Sequence, residues 1–252
     1  MKLVKAYRNP RFLTGDDARG IRILAEYLEP ASRFRHKNIR KAIIFFGSAR
    51  INAVTKKTSR YYRDSVALAE KLARWTTQVH LKPERYHICT GGGPGIMEAV
   101  HEGAARVDRK LNIGLNISLP FEQNVNPHVV KDHALEFHYF FMRKFWFLNL
   151  AHAAVIFPGG FGTLDELFEL LTLTQTGKSA PMPIILYGKN FWEETIDFKG
   201  LLRLGLIGKE DLRLFHICDD VDQAFDLLTM ALQSKPRRKA PGGAVDLSKP
   251  SH

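Results

Sequence analysis

Residues 153–166 read AAVIFPGGFGTLDE, and this stretch decides the fold class. It opens on a continuous apolar run, Ala153 to Phe157, which suits a strand buried on both faces rather than one with a wet side. Pro158, Gly159 and Gly160 then break the run, and a helix is predicted from Thr163 to about residue 176. A buried strand joined to a helix by a glycine-rich turn is half of a βαβ unit.

The same alternation recurs on either side. Short apolar runs at 41–47 (KAIIFFG), 86–90 (YHICT), 112–118 (NIGLNIS), 183–187 (PIILY) and 215–218 (FHIC) are separated by helical stretches predicted at 58–78, 94–109, 138–151, 190–203 and 221–233. The expected fold is α/β: a Rossmann-like, doubly wound parallel sheet with right-handed crossovers, helices on both faces and an N-terminal leader helix. For the leader, Thr14 with Asp17 reads as an N-cap, Ile21, Leu24, Ala25 and Leu28 recur at i, i+3, i+4 and i+7, and Pro30 is expected to stop the helix. A helix this short is marginal alone, so its apolar face is expected against the body or a second subunit. From Ser234 the chain reads SKPRRKAPGGAVDLSKPSH, without apolar periodicity, and a disordered tail is expected. The expected organisation is a basic leader at 1–40, a nucleotide-binding catalytic domain at 41–233 and a basic tail at 234–252.

Composition narrows the function classes. The 252 residues are 45% hydrophobic, too apolar for a disordered chain. No apolar run approaches the roughly 20 residues of a membrane-spanning helix. MKLVKAYRNPRF lacks a signal-peptide core, and Cys89 and Cys218 are the only cysteines, so a cytoplasmic protein with no membrane contact is expected. The net charge of +11 is uneven. Residues 1–40 hold 10 Lys+Arg against 4 Asp+Glu, and 234–252 hold 5 against 1, whereas 41–233 hold 22 against 21. The body is nearly neutral, so a nucleic-acid partner is not expected and the basic ends read as solvated segments.

Chemistry concentrates after the strands, where open parallel sheets bind ligands. Gly47-Ser48-Ala49-Arg50 follows the first strand, Gly91-Gly92-Gly93-Pro94-Gly95 the second, and Pro158-Gly159-Gly160-Phe161-Gly162-Thr163 the run at 153–157. The last two run straight into helices. Glycine lets backbone N–H groups approach a ligand, and a helix N-terminus adds unpaired donors and partial positive charge, so two such joints suggest a phosphate site. There is no GxxxxGK[ST], no clean GxGxxG, no GxSxG and no HExxH or CxxC. Walker-type hydrolysis, dinucleotide redox chemistry, a serine-elbow hydrolase and a metal site are therefore disfavoured, and no metal or organic cofactor is expected. His138 and His152 read as packing or surface residues, and both cysteines as buried apolar ones. Asp165 and Glu166 fall in the predicted first turn of their helix, where they either answer the helix dipole or act on a bound sugar phosphate. Arg143 and Lys144 sit in the aromatic run FHYFFMRKFWF, either at an exposed edge or aimed into a polar site.

PGGFGTLDE at 158–166 resembles the PGGxGTxxE signature of the LOG (Lonely Guy) family, long described as lysine decarboxylases. Arg143-Lys144 resembles that family's upstream RK pair. FGSAR, GGGPGIMEA and the leader DARGIRILAEYLEP are similar to its longer bacterial branch, and the resemblance covers roughly residues 10–233. Glu98 departs from the glycine of the shorter plant-type GGGxxGLMG, which bears on cytokinin selectivity. The resemblance implies a Rossmann-like homodimer that hydrolyses the N-glycosidic bond of nucleoside 5′-monophosphates, AMP-like or cytokinin ribotides, to free base and ribose 5-phosphate. Arg143 and Glu166 are the catalytic candidates. Gly159, Gly160, Gly162 and Thr163 would hold the 5′-phosphate, Gly91, Gly92, Gly93 and Ser48 the ribose or phosphate side, and Lys144 a phosphate or carboxylate. The alternatives are a nucleotide-binding sensor without turnover and a pyridoxal-phosphate decarboxylase using Lys144.

Overall fold

The computed structural model describes residues 3–119 and 124–234. The tail expected after Ser234 lies outside the described residues. Seven strands, β1 (Lys41–Phe46), β2 (Tyr86–Thr90), β3 (Asn112–Ile117), β4 (Ala134–Phe137), β5 (Ala151–Ile156), β6 (Ile184–Tyr187) and β7 (His216–Cys218), form one sheet in the order β4-β3-β2-β1-β5-β6-β7. Every pairing is parallel. The helices are α1 (Pro10–Thr14), α2 (Arg19–His36), α3 (Ser59–Val79), α4 (Ile96–Asp108), α5 (Phe140–Leu150), α6 (Phe161–Gln175), α7 (Lys189–Thr195), α8 (Phe198–Arg203) and α9 (Val221–Ser234).

Strand periodicity explains the two layers. In β1, Ala42, Ile44 and Phe46 point to one face and Ile43 and Phe45 to the other, and all five are buried. The first face packs on Phe34 of α2, Trp146 of α5, Leu167 of α6 and Trp192 of α7. The second packs on Leu72 of α3, Val100 of α4 and Leu228 of α9. This is the doubly wound α/β sheet expected from the continuous apolar runs. Cys89 and Cys218 are free, buried thiols within these layers. No helix among the described residues is long and apolar enough to cross a membrane.

Chain order reverses between β1 and β5, so the loops after these two neighbouring strands diverge to opposite sides and leave a crevice between them. That crevice is the topological switch point of the sheet.

The structure departs from the sequence expectations in three places. The strand β4 is not among the predicted apolar runs: ALEF is four residues long, lies at the sheet edge and exposes Glu136, so it carries little apolar signal. The single helix expected at 190–203 is two, because Asp197 accepts a hydrogen bond from Gly200 N at 2.7 Å and starts α8 afresh.

The third departure is the leader. Thr14 does not cap the long helix; it ends α1, and its hydroxyl donates to Pro10 O at 2.8 Å. Nor does Pro30 stop α2, which continues to His36. A proline inside a helix leaves the carbonyl four residues earlier without its N–H partner. Here that carbonyl belongs to Glu26, and Trp146 Nε1 on α5 donates to it at 2.9 Å. The packed face of α2 is Ile23, Tyr27, Pro30 and Phe34, whereas Ile21, Leu24 and Leu28 are 48%, 54% and 51% exposed.

Candidate active site

A cleft of about 630 Å³ opens at the carboxyl ends of β1, β2 and β5, at the switch point. Three strand-end loops build its rim and two helices close its floor. Gly47 to Arg50 follow β1, Gly91 follows β2, and Gly160 to Thr163 begin α6. Phe140, Arg143 and Phe147 come from α5, and Glu166 from the second turn of α6.

The loops are braced against one another. Ser48 N donates to Pro158 O at 3.0 Å, and Ser48 O accepts from Ile96 N at 3.1 Å, so one residue ties together all three strand ends. Gly95 is required at this junction: its φ is 73°, and a Cβ there would stand 2.4 Å from Ser48 O. Gly159 is required because a Cβ would sit 2.1 Å from Thr163 Oγ1. At Gly160 and Gly162 a Cβ would meet no protein atom within 4 Å, so no internal packing demands glycine there. The helix α6 has no side-chain N-cap bond, and its first turn lines the cleft, presenting the unpaired N–H groups and partial positive charge of a helix start.

The Gly91–Gly93 turn is shaped from behind by a buried polar network. Gly92 N donates to Thr90 Oγ1 at 2.9 Å, and Asn126 Nδ2 lies 3.0 and 3.1 Å from the carbonyls of Gly92 and Gly93. His101 Nδ1 is 3.0 Å from Asn126 Nδ2. Complete burial lowers the His101 pKa to about 4, so the ring is neutral and Nδ1 accepts from the Asn126 amide while Nε2–H faces Ile113 O.

Arg143 and Glu166 meet at the floor. Arg143 Nη2 is 3.5 Å from Glu166 Oε1, a long contact that leaves the guanidinium far from saturated. Its charge lies over the rings of Phe140 and Phe147, 5.2 and 5.7 Å from their centroids, and its Nε is buried with no hydrogen-bond partner among the described residues. Burial pulls the Arg143 pKa down, against the attraction of Glu166 and Asp165. Glu166 is 7% exposed, and burial raises its carboxyl pKa to about 7 despite the opposing pull of Arg143 and Lys144. A carboxyl poised at neutrality beside an anion-binding helix start can exchange protons with water or stabilise positive charge.

Of the sequence candidates, the cleft brings together Ser48, Gly91, Arg143, Gly160, Gly162, Thr163 and Glu166. It does not bring Gly92, Gly93, Gly159 or Lys144 to its wall. Lys144 instead pairs with Asp165 at 2.7 Å and Glu169 at 3.1 Å, which pins α5 to α6. Because α6 starts at Phe161, Asp165 and Glu166 lie beyond its first turn, so the helix-dipole role does not apply to them. Asp165 is exposed and serves Lys144; Glu166 turns inward. Glu98 is not part of the cleft wall. His138 is exposed and His152 half-buried, as expected.

Sequence reading missed two supports of the site. The Glu26 carboxylate accepts from His138 N at 2.7 Å and Tyr139 N at 3.2 Å, capping the start of α5, the helix that carries Arg143. The Asn126–His101 pair holds the second glycine loop. Neither has a local signal: Glu26 is 112 residues from His138, and Asn126 lies 25 residues from His101 in an irregular segment.

Comparison with known proteins agrees with this architecture. Residues 97–228 match a family model described as "Possible lysine decarboxylase". The pyrimidine/purine nucleotide 5′-monophosphate nucleosidase of Escherichia coli K12 is 31% identical over 166 residues, which cover 60% of this chain and 34% of the relative. The nucleosidase of Escherichia coli O157:H7 matches to the same extent. The chain thus spans about a third of the length of the curated relatives it matches. Among solved structures, the structural-genomics target TM1055 superposes with a TM-score of 0.51 at 23% identity, over 75% of this chain and 99% of that one. The molybdenum cofactor binding protein of Rippkaea orientalis does so with a TM-score of 0.51 at 20% identity, over 77% and 99%. These two share the fold. With more than half of its length matched by the family model, and with PGGFGTLDE and Arg143 folded around one cleft, the chain belongs to the LOG family.

Proposed function

We propose that this chain hydrolyses the N-glycosidic bond of nucleoside 5′-monophosphates, AMP-like nucleotides or cytokinin ribotides, releasing free base and ribose 5-phosphate. The observation that carries the reading is the buried Glu166 carboxyl next to Arg143, at the base of a cleft whose rim is a helix start and two glycine turns. The 5′-phosphate docks on the backbone N–H groups of Gly160 to Thr163, with Ser48 and Gly91 along the ribose. In the reaction the bond from C1′ to the base nitrogen breaks and a water oxygen bonds to C1′. One water proton passes to Glu166 and from there to solvent, and the base nitrogen takes one proton from solvent as it leaves, so the carboxylate is regenerated. Positive charge builds on the ribosyl ring before water attacks, and a nearby carboxylate stabilises it more in the transition state than in the ground state. Arg143 stays charged and orients the phosphate or ribose rather than donating a proton.

The test is a panel of purified AMP, GMP, CMP, UMP and a cytokinin ribotide, with base and ribose 5-phosphate quantified by chromatography. Binding of several nucleotides without turnover would replace hydrolysis by the sensor reading. The pH profile gives an independent check. Glu166 works ionised, and its pKa is raised to about 7, so kcat/KM is expected to fall about tenfold per pH unit below that value. The limb vanishes in Glu166→Gln; a profile flat from pH 5 to 8 would contradict the role.

A decarboxylase reading is disfavoured by Lys144. Burial lowers its pKa, but its ion pairs with the Asp165 and Glu169 carboxylates outweigh that and raise it, the opposite of what a Schiff-base amine needs. We further propose a homodimer. Its support is the unpacked stripe Ile21, Leu24 and Leu28 on α2, with Phe140 and Phe141 half exposed on α5. Light scattering should report a dimer that Leu24→Glu/Leu28→Glu converts to monomer; a monomeric parent protein would end this part of the proposal.

A further inference from the structure

A second cavity, of about 710 Å³, lies at the opposite end of the sheet. It is formed by the segments that enter β1, β2, β3 and β4, at the amino ends of the strands. The five residues of β2 alone separate it from the cleft by roughly 17 Å. Its volume lies within the range of small-molecule sites, roughly 300–1,000 Å³.

The charges around it are one-sided. Five cations, Lys37, Lys82, Arg85, Lys110 and Lys131, face two carboxylates. Both carboxylates are already engaged: Asp132 pairs with Lys37 at 2.6 Å, and Asp108 Oδ1 accepts from Lys110 N at 2.9 Å. Among the described residues, Lys82, Lys110 and Lys131 pair with no carboxylate. Such an excess is unusual on a body whose residues 41–233 are nearly balanced in charge. The floor is imidazole and aliphatic: His87 and His133 have ring centroids 6.2 Å apart, flanked by Leu111 and Val130. Among the described residues His87 Nδ1 is buried with no hydrogen-bond partner, and a buried polar atom is rarely left so.

A run of hydrogen-bonded residues leads from this floor to the glycine turn after β2. His133 Nδ1 is 3.3 Å from Asn112 O, Asn112 Nδ2 donates to His101 O at 2.8 Å, and His101 Nδ1 accepts from Asn126 Nδ2 at 3.0 Å. Asn126 Nδ2 ends the chain 3.1 Å from Gly93 O, in the second glycine turn.

We propose that this basic cup is a regulatory site for a small phosphate-bearing polyanion, whose occupancy is felt at the Gly91–Gly93 turn through that chain. The cationic rim takes the phosphates and the imidazole floor supplies hydrogen bonds. Binding at the cup is independent of the nucleotide-hydrolase reading, because the cup and the cleft wall share no residue; only the coupling reaches the cleft, at Gly91.

Calorimetric titration of the full chain with inorganic tripolyphosphate tests it. The expected result is one saturable event per chain, with an affinity changed less than twofold by Arg143→Ala and at least tenfold weaker in Lys110→Glu/Lys131→Glu. Those lysines are exposed, so the double variant should keep its thermal midpoint in the absence of ligand. Binding should also weaken with salt, as rim charges are screened. No saturable event at millimolar ligand would overturn the site. So would binding that Arg143→Ala removes and Lys110→Glu/Lys131→Glu preserves, since the probe would then occupy the cleft. On saturation, amide exchange of residues 91–93 should slow; unchanged exchange with the cup filled would overturn the coupling.

Discussion

Glu166→Gln should lower kcat/KM for nucleotide hydrolysis by about 10²- to 10⁴-fold, the range for loss of a positioned acid–base group. The substitution keeps the shape of the side chain and one oxygen for Arg143, but removes the negative charge and the proton acceptor. Glu166 is nearly enclosed, so water does not take over its role by simple diffusion. The loss should fall in kcat, with nucleotide affinity changed only a few-fold, because the carboxylate acts on charge that exists only as the C1′–N bond breaks. Single-turnover release of base, paired with calorimetric binding, separates the two. Activity within threefold of the parent would remove Glu166 from the chemistry. The comparison has to be made on folded protein, since the variant leaves the buried Arg143 cation without its carboxylate partner, and a denaturation curve should accompany the kinetics.

The second large effect is expected at Arg143. Hydrogen bonds to charged groups contribute about 1.5–3 kcal/mol, so Arg143→Ala should reduce kcat/KM about 10- to 150-fold. An increase in KM that accounts for most of this would assign the guanidinium to substrate binding. Arg143→Lys should restore little. A lysine has neither the planar fork that grips phosphate or ribose oxygens in pairs nor the flat face that lies over Phe140 and Phe147. Full rescue by lysine would mean that a point charge suffices. Lys144→Ala is the useful contrast: its ammonium is spent on Asp165 and Glu169, so its loss should be felt through the docking of α5 on α6 rather than through substrate contact.

The geometry also explains why the two neighbours Arg143 and Lys144 differ. Successive helix positions are turned by about 100°, so only one of an adjacent pair can face the cleft. The same holds for Asp165 and Glu166. One side chain of each pair enters the site, and the other joins the outer ion pair that fixes the two helices together. The sequence pattern singles out Arg143 and Glu166 but does not pair their neighbours Lys144 and Asp165 with each other.

What could be read from the chain alone was local. Apolar runs such as IIFF and AVIF identify strands buried on both faces, because side chains alternate every residue and both sides must then be apolar. Glycine turns before helix starts mark the ligand end of the sheet, and the RK and PGGxGTxxE patterns single out Arg143 and Glu166. What only the tertiary structure decided involves partners far apart in sequence. Pro30 stays inside a helix because Trp146 serves the carbonyl it orphans, and α5 begins where it does because Glu26 caps it. The stripe Ile21, Leu24 and Leu28 has helical periodicity, yet it is Tyr27 and Phe34 that are packed. The cup of lysines assembles from four strand entries whose charges are scattered in the sequence. Periodicity is a property of neighbours along the chain and so survives in sequence; hydrogen bonds, charge clusters and the choice between two apolar faces depend on what folding brings opposite them.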